Sequence, residues 1–167
     1  MATGCRCINY MNEVNVKAFL KVIRYAETKY EDDRAYYVMY GGKTFTDTST
    51  HPLPTSKAKE IRDQCNPHGK IHTPAGAYQI TYDTWSELHN IGLAPDFSKY
   101  SQDRCAIHIM QDCHVMNDLM IGDIKKVLNN HNLRGRWSSL PGASQQQIDM
   151  DTAIRKFHQY VKEYSKK

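Results

Sequence analysis

No stretch of this 167-residue chain approaches the roughly 18 consecutive apolar residues that a membrane helix requires, so stable membrane insertion is not expected. Met1 to Glu13 has one basic residue and no apolar centre, so an ordinary secretory leader is not expected either. Internal repeats, low-complexity tracts and linkers rich in Pro, Gly or Ser are missing. The chain therefore reads as one domain over residues 1–167, with 1–14 a loosely ordered start. Cysteines are few and odd in number: Cys5, Cys7, Cys65, Cys105 and Cys113. Without a leader this pattern reads as reduced thiols made in a cytosol, not as a disulfide framework.

What is present is ordinary for a soluble globular protein, with 40% apolar and 24% charged residues. Lys and Arg total 22 against 18 Asp and Glu, a net charge of +4. That suits nucleic acid, teichoic acid or an anionic membrane equally and selects none. Val16, Phe19, Leu20 and Ile23 follow helical spacing and predict an amphipathic helix over Asn15–Thr28, capped by Asn12 or Asn15. Tyr36–Tyr40 and Lys43–Asp47 read as strands joined through Gly41-Gly42, the two-residue signal of a tight hairpin. Residues 48–74 hold four prolines and predict a loop, with a short exposed helix at Lys57–Gln64. Further helices are expected over Thr81–His89, with Trp85 and Leu88 on one face, and from Ser101, turning Ala106, Met110, Cys113 and Met120 inward. Another starts with Ile124, Val127 and Leu128, and the last covers Ile148–Tyr164. The sum is a mainly helical α+β domain with one small hairpin.

Glu27 stands out on the first helix. At about 100° per residue it falls within roughly 20° of Val16, on the apolar stripe. Burial there disfavours the charged form and raises the pKa, as a general acid working near neutrality requires. A helix end emerging from the core, with Glu27 solvated at its rim, fits the same pattern. The segment Gly76-Ala77-Tyr78-Gln79 offers close backbone approach, a phenol and an amide, which suit sugars and many other ligands, or a helix-entry turn. Trp137 through Ala143 is a Ser-rich, Pro-Gly loop, uninformative alone. Cys65, His68 and His72 have zinc-ligand types, as a zinc amidase would use, but no fourth ligand follows and no His-Glu-x-x-His helix exists. No metal or cofactor is expected. The basic residues of the last helix, Arg155, Lys156, Lys162, Lys166 and Lys167, alternate with Asp151 and Glu163. They read as a solvated face, not a nucleic-acid-binding module.

In order, Ala18-Phe19-Leu20, Ala26-Glu27-Thr28, Gly41 to Asp47 with His51-Pro52, and Gly76 to Ile80 resemble the lysozyme-like endolysins of the phage lambda type. The likeness continues through Asp96-Phe97-Ser98 with Ser101-Gln102-Asp103, Gly122-Asp123-Ile124 and Trp137 to Ala143, about residues 17–160 in all. It implies a lysozyme-like α+β fold whose small hairpin flanks a substrate cleft. The activity implied is cleavage of MurNAc–GlcNAc β-1,4 bonds in peptidoglycan. The family's essential glutamate maps onto Glu27, and its sugar-binding loop onto Gly76, Tyr78 and Gln79. Phe45, Asp47, Ser139 and Leu140 are implied to face the same cleft. Two departures stand out: Ala77 replaces an expected basic residue, and Tyr37 occupies the place of an aspartate. An acidic partner for Glu27 is then to be sought in Asp32, Asp33 or Asp47.

One well-placed glutamate without a spaced second acid fits lytic transglycosylation, with hydrolytic muramidase action as the alternative. The implied partner is the glycan strand of the bacterial wall, acted on by a monomer that binds no nucleic acid. The leaderless, thiol-bearing chain fits a phage protein that accumulates in the host cytoplasm until a separate membrane-permeabilising protein releases it.

Overall fold

The computed structural model describes residues 10–65 and 68–166. Among these, eight α-helices surround one apolar core, and no helix is long and apolar enough to cross a membrane. The first helix, α1 (Val14–Thr28), buries Val16, Phe19, Leu20 and Ile23 as its periodicity predicts, together with Ala18, Val22 and Ala26. Neither expected asparagine caps it. Glu13 holds the cap position without a side-chain bond, and Asn15 instead donates to the carbonyls of Leu119 and Met120 at 3.1 and 3.2 Å. Of the predicted loose start, residues 1–9 lie outside the described part, while Tyr10 and Met11 pack against the core.

The expected hairpin is present only as a chain reversal with a single antiparallel bridge, without regular strands among the described residues. Asp32 caps a 3₁₀ turn over Asp33–Tyr37, a second such turn covers Tyr40–Gly42, and the described residues contain only isolated β-bridges. The chain does reverse at Gly41 and Gly42, both with positive φ, and Val38 pairs with Thr44. Tyr36 is drawn into the core, where its hydroxyl meets Arg24 and Asp103, and this curls the first would-be strand. Met39 bonds across the turn, its N–H to the Lys43 carbonyl at 2.8 Å, and also bridges to Ala75.

Within the long loop, α2 (Thr55–Cys65) forms close to its predicted limits. The loop is anchored by His51, only 1% exposed, whose Nε2 donates to the Ile80 carbonyl (2.8 Å) while Nδ1 accepts from Leu53 N–H (3.1 Å). Thr81 caps α3 (Tyr82–Asn90), which buries Trp85 and Leu88. The next helix starts two residues before expectation, as α4 (Lys99–Asp112) capped by Ser98, and stops where His114 turns left-handed at φ 57°. Its predicted continuation is a separate short helix, α5 (Met116–Met120). That break leaves Met120 exposed, contrary to expectation. Two further short helices follow, α6 (Ile124–Leu128) and α7 (His131–Arg136). Asp149 caps the last, α8 (Met150–Ser165), with Ile148 just outside it, and α8 packs along α1. Lys156, expected on a solvated face, lies 3.7 Å above the Tyr25 ring and pairs with Glu31.

Candidate active site

Three segments meet at the C-terminal end of α1: that helix's last turn, the loop over residues 75–80 and the loop over residues 137–143. Glu27 sits in the last turn, half-buried. The helix ends two residues later at Lys29, a non-glycine in the left-handed region (φ 65°) whose N–H still caps the Tyr25 carbonyl at 2.9 Å. A left-handed lysine beside a half-buried acid is local strain of the kind that collects at functional sites. Burial raises the pKa of Glu27, and it outweighs the opposing pull of the Ser139 hydroxyl and N–H and of the Lys29 cation. The Ser139 hydroxyl donates to Glu27 Oε1 in a short hydrogen bond.

The loop over residues 75–80 closes on itself through reciprocal backbone bonds between Ala75 and Ile80 (3.0 and 2.9 Å). Gly76 is required there twice over. Its φ is +76°, and a Cβ would run into the Gln102 amide, which is itself fully buried. Gln102 holds the loop through Ala77 N–H (2.9 Å), while its own N–H groups reach the Tyr36 and Phe97 carbonyls. Gln79 is half-buried at φ 46°, its amide folded back to the Gly76 carbonyl at 2.9 Å.

The implied sugar contacts divide by burial. Phe45 is half-buried against Tyr37 and Phe97, and together with Gln79 it keeps side-chain surface for a ligand. Tyr78 and Leu140 are 1% and 0% exposed, so their side chains lie in the core. Gly76 and Ser139 are buried as well. Leu140 is buried because its loop folds inward behind Trp137, whose indole N–H donates to the Tyr78 carbonyl at 2.9 Å.

None of the three aspartates considered as partners of Glu27 acts on it. Asp32 is bound to Arg34, Asp33 to Lys99, and Asp47 is exposed and accepts from the Ser49 N–H and hydroxyl at 2.9 and 2.6 Å. A second half-buried carboxylate is Asp103, its pKa pushed up by desolvation, which accepts from the Tyr36 and Tyr78 hydroxyls at 2.8 and 2.5 Å. Its place on the inward stripe with Ala106 and Met110 was the sequence signal for it. Among the described residues no group of three or more His, Cys, Asp or Glu converges on a metal-sized site. The Cys65 side chain, on which the zinc alternative depends, lies outside the described part, as do Cys5 and Cys7. Cys105 and Cys113 are both buried.

Residues 17–166 match the protein family described as Endolysin. The chain belongs to the endolysin family. This endolysin is 32% identical over 141 residues to the endolysin of Escherichia phage P2, covering 77% of the present chain and 81% of that relative. It is 32% identical over 149 residues to the endolysin of Escherichia phage lambda, covering 84% and 87% respectively. Among solved structures it is similar to phage lambda lysozyme complexed with a chitohexasaccharide, with a TM-score of 0.70 and 30% identity over 87% of this chain and 93% of that one. A second structure of lysozyme from phage lambda gives a TM-score of 0.69 at 28% identity, with the same coverage. The lysozyme-like, mostly helical fold is therefore shown, and the endolysin is an enzyme of peptidoglycan breakdown.

Proposed function

We propose that this endolysin cleaves the MurNAc–GlcNAc β-1,4 bond as a lytic transglycosylase, with Glu27 as its acid and then its base. The observation that carries this reading is the isolation of Glu27: half-buried, raised in pKa, and without a carboxylate among the groups that act on it. Hydrolysis ordinarily uses two carboxyl groups about 5–9 Å apart, one of which is the nucleophile or activates water. Transglycosylation needs one. Protonated Glu27 gives its proton to the glycosidic oxygen as the bond to the MurNAc anomeric carbon breaks, and GlcNAc leaves with a free hydroxyl. The carboxylate so formed takes the proton of the MurNAc C6 hydroxyl while that oxygen bonds to the anomeric carbon. A 1,6-anhydro ring closes, water is not consumed, and Glu27 is protonated again.

Desolvation shifts Glu27 toward the protonated form that the first half of this cycle uses, and the Ser139 hydroxyl steadies the carboxylate during the second. Phe45 and Gln79 supply surface and an amide toward the glycan, with Gly76, Tyr78 and Leu140 shaping the wall behind them. The complex of the lambda relative with a chitin oligosaccharide supports a glycan strand as the ligand. The protein acts as a monomer without a cofactor, and it waits in the host cytoplasm for release to the wall. Replacing Glu27 by Gln tests the assignment. Wall lysis measured by loss of turbidity falls by at least about a thousandfold while the melting transition is kept. Lysis retained in a folded Glu27→Gln protein would overturn the assignment.

A further inference from the structure

Tyr78 lies inside the protein, and its bonds run in two directions. Its hydroxyl donates to Asp103 Oδ1 at 2.5 Å, and its carbonyl accepts the indole N–H of Trp137 at 2.9 Å. On the far side, Asp103 Oδ1 also accepts from the Tyr36 hydroxyl (2.8 Å), which in turn accepts from Arg24 Nη1 (2.8 Å). On the near side, Trp137 opens the loop in which Ser139 donates to Glu27. Arg24 and Glu27 are three residues apart on α1, so the path starts and ends on one helix. It passes through the 3₁₀ turn at Tyr36, α4 at Asp103, the loop of Tyr78 and the loop of Trp137 before returning.

We infer that this closed ring positions the catalytic carboxyl group, with Asp103, Tyr78 and Trp137 as positioning residues acting on Glu27 through Ser139. The inference rests on the reading of Glu27 as the acid. Arg24, Tyr36, Tyr78, Trp137 and Ser139 are all 8% exposed or less, so every break in the ring strands a buried polar group. The charges it contains, Arg24 and Asp103, are bridged by a phenol and give the ring a fixed polarity, both tyrosine hydroxyls donating toward Asp103. Its output is the orientation of one hydroxyl. Ser139 is braced on its other flank as well, where its carbonyl accepts from Gln147 N–H (2.8 Å) and the Gln147 carbonyl accepts from Lys29 Nζ (2.8 Å). Lys29 is the one charged group acting on Glu27, and the ring leaves it untouched.

The test is a set of pH–rate profiles for wild type, Tyr78→Phe, Trp137→Phe, Ser139→Ala and the double variant Tyr78→Phe/Ser139→Ala. With the ring cut, the ionised form of Glu27 loses a well-aligned donor. The alkaline limb of the profile then moves to higher pH, and kcat falls about tenfold with KM little changed. In the Ser139→Ala background, Tyr78→Phe moves the limb no further, because the path to Glu27 is already broken. A core variant far from the ring, Phe157→Leu, lowers the melting temperature without moving the limb. If Tyr78→Phe fails to fold, Trp137→Phe reads the same link from its other end. A limb that stays in place in both Tyr78→Phe and Trp137→Phe, or that Tyr78→Phe moves as far with Ser139 absent as with it present, overturns the ring. Activity retained in Glu27→Gln would instead overturn the reading of Glu27 and is scored separately.

Discussion

Glu27 works against its own solvation. Its folded pKa is raised, so the fold favours the protonated form, and that contribution is lost as the pH rises through the folded value. At neutral pH the ionised, desolvated carboxylate is therefore a cost to the fold that a neutral amide would not carry. Glu27→Gln is expected to melt at the same temperature as wild type or higher at pH 7, a comparison that thermal scans at pH 7 and pH 4 make directly. At this scale the sequence was informative where one stripe decided the matter. The helical spacing that puts Glu27 on the stripe of Val16 agrees with a buried Val16 and a half-buried Glu27. It was uninformative where contact order decided. Whether a Tyr or Leu in a loop faces a ligand or the core depends on partners far along the chain. Tyr78 faces inward because Asp103 and Trp137 are there to receive it. The three aspartates near Glu27 in sequence were poor candidates for a related reason: each has a nearer partner, Arg34, Lys99 or Ser49.

The elements around the site are set by a few backbone positions that are hard to substitute. Gly76→Ala places a Cβ against the buried Gln102 amide and asks a left-handed φ of an alanine. A loss of about 2–3 kcal/mol in denaturant unfolding is expected, with activity reduced as Ala77 N–H is pulled off Gln102. The converse holds at the end of α4. His114 is exposed and left-handed without a packing reason, so His114→Gly should raise stability by about 0.5–1 kcal/mol, visible as a higher melting temperature. Helix positions were legible because apolar spacing and caps are local. Thr81 and Asp149 mark their helices as helix starts should. The hairpin's turn signal was real, but its first strand is cut short where Tyr36 turns to Arg24 and Asp103, and Met39 is shared between Lys43 across the turn and Ala75. The long helix expected from Ser101 broke at His114, a residue type that gives no warning of a left-handed turn.

For the molecule as a whole, His51 links the long loop to the core and makes stability depend on pH. Burial holds its pKa at about 4, well below the ordinary 6.5. Between those values the unfolded chain takes up a proton that the folded chain refuses. Stability therefore falls as the pH drops from about 6.5 to about 4, by up to about 3 kcal/mol, and is insensitive to His51 above that window. Urea unfolding at pH 7 and pH 4.5 should show the loss, and a His51→Gln variant should show a flatter dependence. The mild positive charge, open as to partner at the outset, agrees with work on an anionic cell envelope. The single acid Glu27 is the centre of the account, and the chemistry of the new chain ends tests it most directly. Peptidoglycan digested to completion in heavy-oxygen water and examined by mass spectrometry should yield 1,6-anhydro-MurNAc ends with no label. Reducing MurNAc ends carrying the heavy oxygen as the main product would show that water is the nucleophile and would contradict the account.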